Sequence, residues 1–359
     1  MTAHFDPNFR FGVSFDPTDG TYYRGNVIDI AGQDTGRDAF MASFPHLVDV
    51  GIMGHCNHGI SGRCAQSGIG CYQSGAHRSQ PNLSVADFTR IADECTGRVF
   101  QFALGGRGDP DEHEAFGDIL AIARSRNIVP NYTTSGWGMT PERAALTARY
   151  CGAAAVSWQR AEHTLRAIRL LVDAGVTTNI HYLLSARSIH EARWRLRQRA
   201  FPPGINRIIF LLHKPIGQGD PADVLHPSDP RVADFFSLFN HEEYIDVAGF
   251  DSCSVPGLLR LAPNIDPASI ETCEGGRFSA YIAPDMTMMP CSFDQDGRWA
   301  VDLEHYTMDE AWIGHRFGDF RERLRSACPE CTLRPACLGG CPIDRNIVLC
   351  PSIQGGGTP

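Results

Sequence analysis

Residues 46–75 read HLVDVGIMGHCNHGISGRCAQSGIGCYQSG, an apolar run over 46–53 that passes directly into a glycine-rich loop carrying Cys56, Cys64 and Cys71. A short apolar run bounded by glycine reads as a buried strand, and the loop after it places three thiols at the strand's carboxyl end. Five more such runs follow, at RVFQFAL (98–104), NIVPNYTT (127–134), AAAVSW (153–158), TTNIHYLLS (177–185) and NRIIFLL (206–212). Helical segments lie between them. Ser84 is placed to cap a helix running to Cys95, and Thr140 followed by Pro141 is a cap with proline at the first helical position. Over 160–175, Leu165, Ile168, Leu171 and Val172 recur at helical spacing and Gly175 ends the segment.

Six strands each followed by a helix define an α/β fold of parallel βα units. Periodicity alone does not separate an open doubly wound sheet from a partial barrel. In either fold, function sits in the loops at the carboxyl ends of the strands. Those loops hold the cysteine triplet after the first strand, GGRGDP (105–110) after the second, Ser135-Gly136 after the third and Ser157 at the end of the fourth.

The chain has 359 residues and 43% of them are apolar, enough to bury a core without disulfide support. Its 13 cysteines therefore need another explanation. No run is long enough to span a membrane and no charged-then-apolar leader opens the sequence, so a cytoplasmic location is expected, where clustered thiols are more often metal ligands or catalytic groups than disulfides. The net charge of −9 and the absence of a concentrated basic footprint argue against nucleic acid as a partner. The basic run ARWRLRQR (192–199) reads as a solvated helix face.

Seven cysteines crowd the last quarter: Cys273, Cys291, Cys328, Cys331, Cys337, Cys341 and Cys350, with CPECTLRPACLGGCP spanning 328–342. Together with the upstream triplet they resemble the radical S-adenosylmethionine enzymes, and the C-terminal set resembles their SPASM extension, which carries two auxiliary [4Fe–4S] clusters. The resemblance covers residues 46 to 350. It implies a partial (β/α)6 TIM-type barrel and three [4Fe–4S] clusters in all. It further implies that Cys56, Cys64 and Cys71 bind a cluster with one open iron for S-adenosylmethionine, whose reductive cleavage gives a 5′-deoxyadenosyl radical. The triplet departs from the commonest family pattern: seven and six residues intervene, where three and two are usual. A zinc site completed by His55 or His58 is the rival reading.

By the same resemblance, Gly105, Gly106, Gly108 and Asp109 of GGRGDP stand where the family has a motif ending in Gly-Glu-Pro that holds the methionine amino group. Ser157 resembles the polar residue that contacts ribose or carboxylate, with a helix cap as its alternative. His181, inside the fifth strand, and Tyr72, beside Cys71, are further cofactor-site candidates; for His181 a core histidine is the alternative. In the SPASM pattern, Cys273, Cys291 and Cys341 bind auxiliary cluster I, and Cys328, Cys331, Cys337 and Cys350 bind auxiliary cluster II. Cys253, in VAGFDSCSVPG after an expected extra strand, is the candidate fourth ligand of cluster I, or else a buried thiol. Met286, in APDMTMMPC, takes a place where the motif often has glycine. Cys95 and Cys151 read as core thiols.

The domain reading is an N-terminal β-hairpin-like extension over 1–45, a radical S-adenosylmethionine barrel over 46–245, a SPASM domain over 246–352 and a mobile tail over 353–359. The first 45 residues are too few, and too poor in helix, for a leader-peptide recognition domain. The resemblance implies hydrogen abstraction from a ribosomally made precursor peptide, with crosslinking, oxidation, epimerisation or excision as outcomes. It implies as partners that peptide, a separate leader-recognition protein and an external electron donor. Radical dehydrogenation of a small alcohol or amine, and simple electron transfer, are the competing readings.

Overall fold

The computed structural model describes residues 1–18, 20–67, 70–266 and 269–351. The expected mobile tail lies outside them. Three short strands open the chain, β1 (Thr2–Asp6), β2 (Phe11–Phe15) and β3 (Tyr22–Arg24), and pair antiparallel in the order β1-β2-β3. The six expected strands follow as β4 (Leu47–Met53), β5 (Gln101–Gly106), β6 (Val129–Thr134), β7 (Ala154–Ser157), β8 (Thr178–Leu184) and β9 (Ile208–Leu212). After them come β10 (Ala248–Phe250), β11 (Ser279–Ile282), β12 (Thr287–Met289) and β13 (Val301–Asp302).

β4 to β13 form one ten-stranded sheet in the order β10-β9-β8-β7-β6-β5-β4-β11-β12-β13. Every neighbouring pair from β10 to β11 is parallel; β12 and β13 add an antiparallel edge. From β4 to β9 spatial order follows chain order with no reversal. A doubly wound sheet requires a switch point, so this is the singly wound arrangement of a partial barrel. Both edges are built by residues beyond 245: β10 on one side, as expected for an extra strand, and β11 to β13 on the other.

Strand alternation divides two environments. Val48, Val50 and Ile52 of β4 are fully buried in the main core, which continues through Phe102, Tyr132, Val156, Ile180, Tyr182 and Phe210. The opposite faces of the strands line a lumen, with a cavity of about 360 Å³ bounded by Gln101, Asn131, Thr133, Asn179 and His181 among others. The expected caps hold: Ser84 Oγ accepts from Asp87 N at 3.0 Å, and Thr140 Oγ1 from Arg143 N at 3.3 Å. The helix Glu162–Asp173 buries Ile168 and Leu171, but Leu165 is exposed, one position off the apolar face. Gly175 follows it at φ +79, the left-handed value that a glycine adopts without strain.

The N-terminal strands sit beneath the barrel. Phe11, Val13 and Phe15 pack against Phe100, Val129 and Phe278, which stand at the amino ends of β5, β6 and β11. Tyr22 Oη meets His46 Nδ1 at 2.7 Å. A segment expected as a hairpin along an edge is thus a three-stranded sheet closing the floor, because its apolar face has that ring of aromatic residues to cover. Among the described residues no helix is long and apolar enough to cross a membrane.

Met286 turns the chain between β11 and β12 with φ +61, which explains why glycine suits this place. Its side chain is nonetheless buried in the main core. Met286→Gly relieves a left-handed backbone worth ~1–2 kcal/mol but removes a core side chain worth ~2–5 kcal/mol, so a net loss of about 1–3 kcal/mol is expected. Urea unfolding of the two proteins measures it; a more stable glycine variant would contradict the account.

Candidate active site

The loop after β4 folds its three cysteines toward one another. Cys56 caps the short helix Asn57–Ile60, and its Sγ accepts from Gly59 N at 3.1 Å. Cys64 lies in a second short helix, Arg63–Gln66. Cys71 is held through its carbonyl, which accepts from Ser74 N at 3.1 Å and from Gln218 N at 2.9 Å. The last of these bonds ties the first loop of the barrel to the sixth, and Gly217 makes the approach possible: a Cβ there would lie 2.2 Å from the Tyr72 carbonyl oxygen.

The GGRGDP turn packs directly on this loop. Arg107 N donates to Met53 O at 2.8 Å. A Cβ on Gly106 would come within 2.3 Å of Met53 O, and one on Gly108 within 2.5 Å of His55 O. Gly75 completes the fit, since a Cβ there would stand 2.9 Å from Cys56 Cβ. The glycines are needed for close backbone approach around the thiols, not for loop freedom alone.

Electrostatically the three sulfurs form one group. Burial pushes the Cys64 thiol up to about 12, with the nearby Cys56 and Cys71 adding to it. Cys56 is raised by burial too, partly offset by the Gly59 N–H. A cation seated among the sulfurs would favour the thiolate form of Cys56 and Cys64.

Asp109 does not reach outward. Its carboxylate accepts from Ser135 N at 2.9 Å, Ser135 Oγ at 2.5 Å and Thr134 Oγ1 at 3.2 Å, so it ties the second rim loop to the third. Burial raises its pKa and the Ser135 hydrogen bonds work against that rise. Beside it, His58 Nε2 lies 3.2 Å from Glu112 Oε1, and Glu112 raises the His58 pKa. Ser157 caps nothing, since the next helix begins at Glu162 with Ala161 as its cap. It stands instead at the rim, register partner of His181 on β8. His181 faces the lumen, its Nδ1 3.2 Å from Thr133 Oγ1. Tyr72 packs on Phe293, ring centres 4.6 Å apart.

The C-terminal cysteines fall into two sets. Cys253 and Cys341 are hydrogen-bond neighbours, and Cys253 interacts electrostatically with Cys273 and Cys291. Cys328, Cys331, Cys337 and Cys350 surround one small cavity. The crossing of Cys341 from one set to the other has a local cause. Leu338, Gly339 and Gly340 are all left-handed, at φ +50, +75 and +77, and reverse the chain just after Cys337. Cys95 is fully buried against Met308, and Cys151 packs at the edge of the main core. Among the described residues no three His, Cys, Asp or Glu side chains are arranged to hold a single metal ion.

Three features escaped sequence reasoning. Asp49, opposite the buried face of β4, has its pKa raised by burial to about 7. Trp137 stacks on His163 at 3.8 Å beside the triplet loop. Lys214 lies buried just past β9. Asp49 had a signal, an acid in the middle of an apolar strand; Trp137 and His163 had none, because they come from different βα units.

The partial barrel with its C-terminal strands is the fold of radical S-adenosylmethionine enzymes that carry a SPASM extension, and the three cysteine sets resemble theirs. No family model matches it. In sequence it is 24% identical over 308 residues to the mycofactocin maturase MftC of Mycolicibacterium smegmatis, spanning 77% of this chain and 75% of that protein. In structure it matches SuiB of Streptococcus suis bound to S-adenosylmethionine, with a TM-score of 0.63 at 14% identity over 84% of this chain and 74% of that one. SuiB bound to its precursor peptide SuiA gives 0.58 at 15% identity, over 84% and 72%. The enzyme anSMEcpe with bound AdoMet and the Cp18Cys peptide gives 0.62 at 16% identity, over 84% and 90%.

Burial sets an acid-side limit on the barrel. The pKa values of His46 and His181 are both lowered to about 4 by burial, against an ordinary 6.5. The unfolded chain takes up these protons first, so the stability they contribute is complete above pH 6.5 and lost as pH falls toward 4. His181→Gln should flatten that decline, read as unfolding midpoint against pH. An unchanged slope would mean that His181 is charged in the fold.

Proposed function

We propose that the chain modifies a ribosomally made precursor peptide by radical chemistry, holding S-adenosylmethionine and three [4Fe–4S] clusters. The convergence of Cys56, Cys64 and Cys71 on the barrel rim carries this reading. Three neighbouring thiols, those of Cys56 and Cys64 with pKa values raised by burial, and a glycine-lined surround fit a cationic cluster core. When bound there, the cluster supplies an electron to S-adenosylmethionine and so yields a 5′-deoxyadenosyl radical.

The chain's own residues have defined tasks in this scheme. Gly105, Gly106 and Gly108 bring backbone against the cofactor's methionine end, and Asp109 keeps the second and third rim loops in register through Ser135. Arg107, whose buried Nε and Nη1 lack hydrogen-bond partners, is placed to receive a carboxylate. Ser157 and His181 line the path from rim to lumen, and Tyr72 supports the loop from the Phe293 side. Cys253, Cys273, Cys291 and Cys341 hold auxiliary cluster I; Cys328, Cys331, Cys337 and Cys350 hold auxiliary cluster II. The mutual approach of Cys253 and Cys341 supports full ligation of cluster I.

A peptide substrate is supported by the relatives, since SuiB and anSMEcpe are seen with peptides bound. Leader recognition is assigned in this reading to a separate protein. Ordering a long flexible precursor costs several kcal/mol, which a docking partner must offset. An external donor supplies electrons.

Reconstituted without oxygen, the protein should hold about twelve irons, four for each cubane. Changing Cys56, Cys64 and Cys71 together to alanine should remove about a third of that iron and abolish 5′-deoxyadenosine formation. Bound zinc, or undiminished cleavage by the triple variant, would sink the reading. Co-expression with neighbouring short open reading frames, followed by mass spectrometry, tests the substrate. A peptide lighter by two hydrogens, epimerised or excised supports it; oxidation of a small alcohol with no peptide changed would replace it.

A further inference from the structure

Of the chain's 32 Lys and Arg residues only one is a lysine, Lys214, and it is 6% exposed. It stands just beyond β9, on the rim. Its Nζ donates to Asp251 Oδ2 at 2.7 Å and to the Leu212 carbonyl at 2.9 Å, and lies 4.5 Å from the centre of the Phe293 ring. Asp251 is fixed in turn: it accepts from Leu212 N at 3.1 Å and from Ser254 Oγ at 2.8 Å.

These contacts straddle one cysteine set. Asp251 lies two residues before Cys253, and Phe293 two residues after Cys291. Cys253 and Cys341 are within electrostatic reach of the ammonium. Buried as it is, Lys214 keeps an ion pair with Asp251 at 2.7 Å. A buried ion pair contributes little net stability, so its presence here asks for another role. An ammonium is a compact point charge, whereas the planar guanidinium used elsewhere in this chain needs a wider site.

We propose that Lys214 is the positioning residue of auxiliary cluster I: its pair with Asp251 fixes the turn that presents Cys253, and its charge raises the reduction potential of that cluster. The inference rests on the reading that Cys253, Cys273, Cys291 and Cys341 hold an iron–sulfur cluster. The physical ground is that an added electron is stabilised by a fixed positive charge nearby, in surroundings where screening is weak.

Anaerobic potentiometric titration of the full-length reconstituted protein, followed by electron paramagnetic resonance, tests it. The signal lost in Cys253→Ala identifies the cluster. Lys214→Gln should move that cluster's midpoint to a more negative potential, Asp251→Asn should move it to a more positive one, and Lys214→Arg should stay nearer the wild type than Lys214→Gln does. The other two midpoints should hold. Opposite shifts from the two neutral replacements are what a structural role would not produce. If Lys214→Gln fails to retain iron, Asp251→Asn decides: an upward shift supports the proposal, and no shift or a downward one overturns it. Three clusters with unmoved midpoints overturn the role of Lys214 alone. Wild-type protein with no cluster at this set overturns the underlying reading as well.

Discussion

The parallel pairing of β11 with β4 is the constraint on which the site depends. Tyr281 of β11 stands opposite Asp49 of β4, more than two hundred residues earlier in the chain. That register sets the loop after Cys291 beside the loop after Cys71, where Phe293 packs on Tyr72. Gly51, directly above Asp49 on its strand, has no room for a Cβ, which would meet Tyr281 Oη at 2.7 Å. The C-terminal extension is therefore not an appendage to the barrel; it supplies the next strands of its sheet.

Two loops then complete the enclosure. The segment after β9 reaches back to Cys71 through Gln218, so the first and sixth units of the barrel meet at the triplet. The same segment carries Lys214, which holds Asp251 and with it the approach to Cys253. One short stretch of chain thus touches both the triplet loop and the turn that leads into Cys253. Its glycines are fixed by proximity: Gly219 leaves only 2.2 Å between an added Cβ and Lys214 O.

Much of this was legible in the sequence because it depends on local chemistry. The six strands stood where their apolar runs ended in glycine or polar loops, and Ser84 and Thr140 announced their helices by capping chemistry. The division of the C-terminal cysteines into two sets came from the family resemblance. The relation of Cys253 to Cys341 was left open because a lone cysteine after a short strand carries no mark of its distant partner. Periodicity did not choose between barrel and open sheet, since strand order is a tertiary property that it does not encode; the family resemblance pointed to the partial barrel, and the strand order agrees. The floor formed by Phe11, Val13 and Phe15 read as a hairpin for the same reason: the aromatic ring it covers is assembled from three separate units. Lys214 had a signal in its singularity, but nothing in the sequence said what surrounds it.

The central claim is that the triplet of Cys56, Cys64 and Cys71 leaves one iron open to S-adenosylmethionine while the other sets are closed. Mössbauer spectroscopy of protein loaded with isotopically enriched iron addresses it directly. Adding S-adenosylmethionine should change the coordination of about one iron in twelve and leave the rest as they were. A spectrum indifferent to S-adenosylmethionine, or one in which the auxiliary irons respond in its place, would contradict the account.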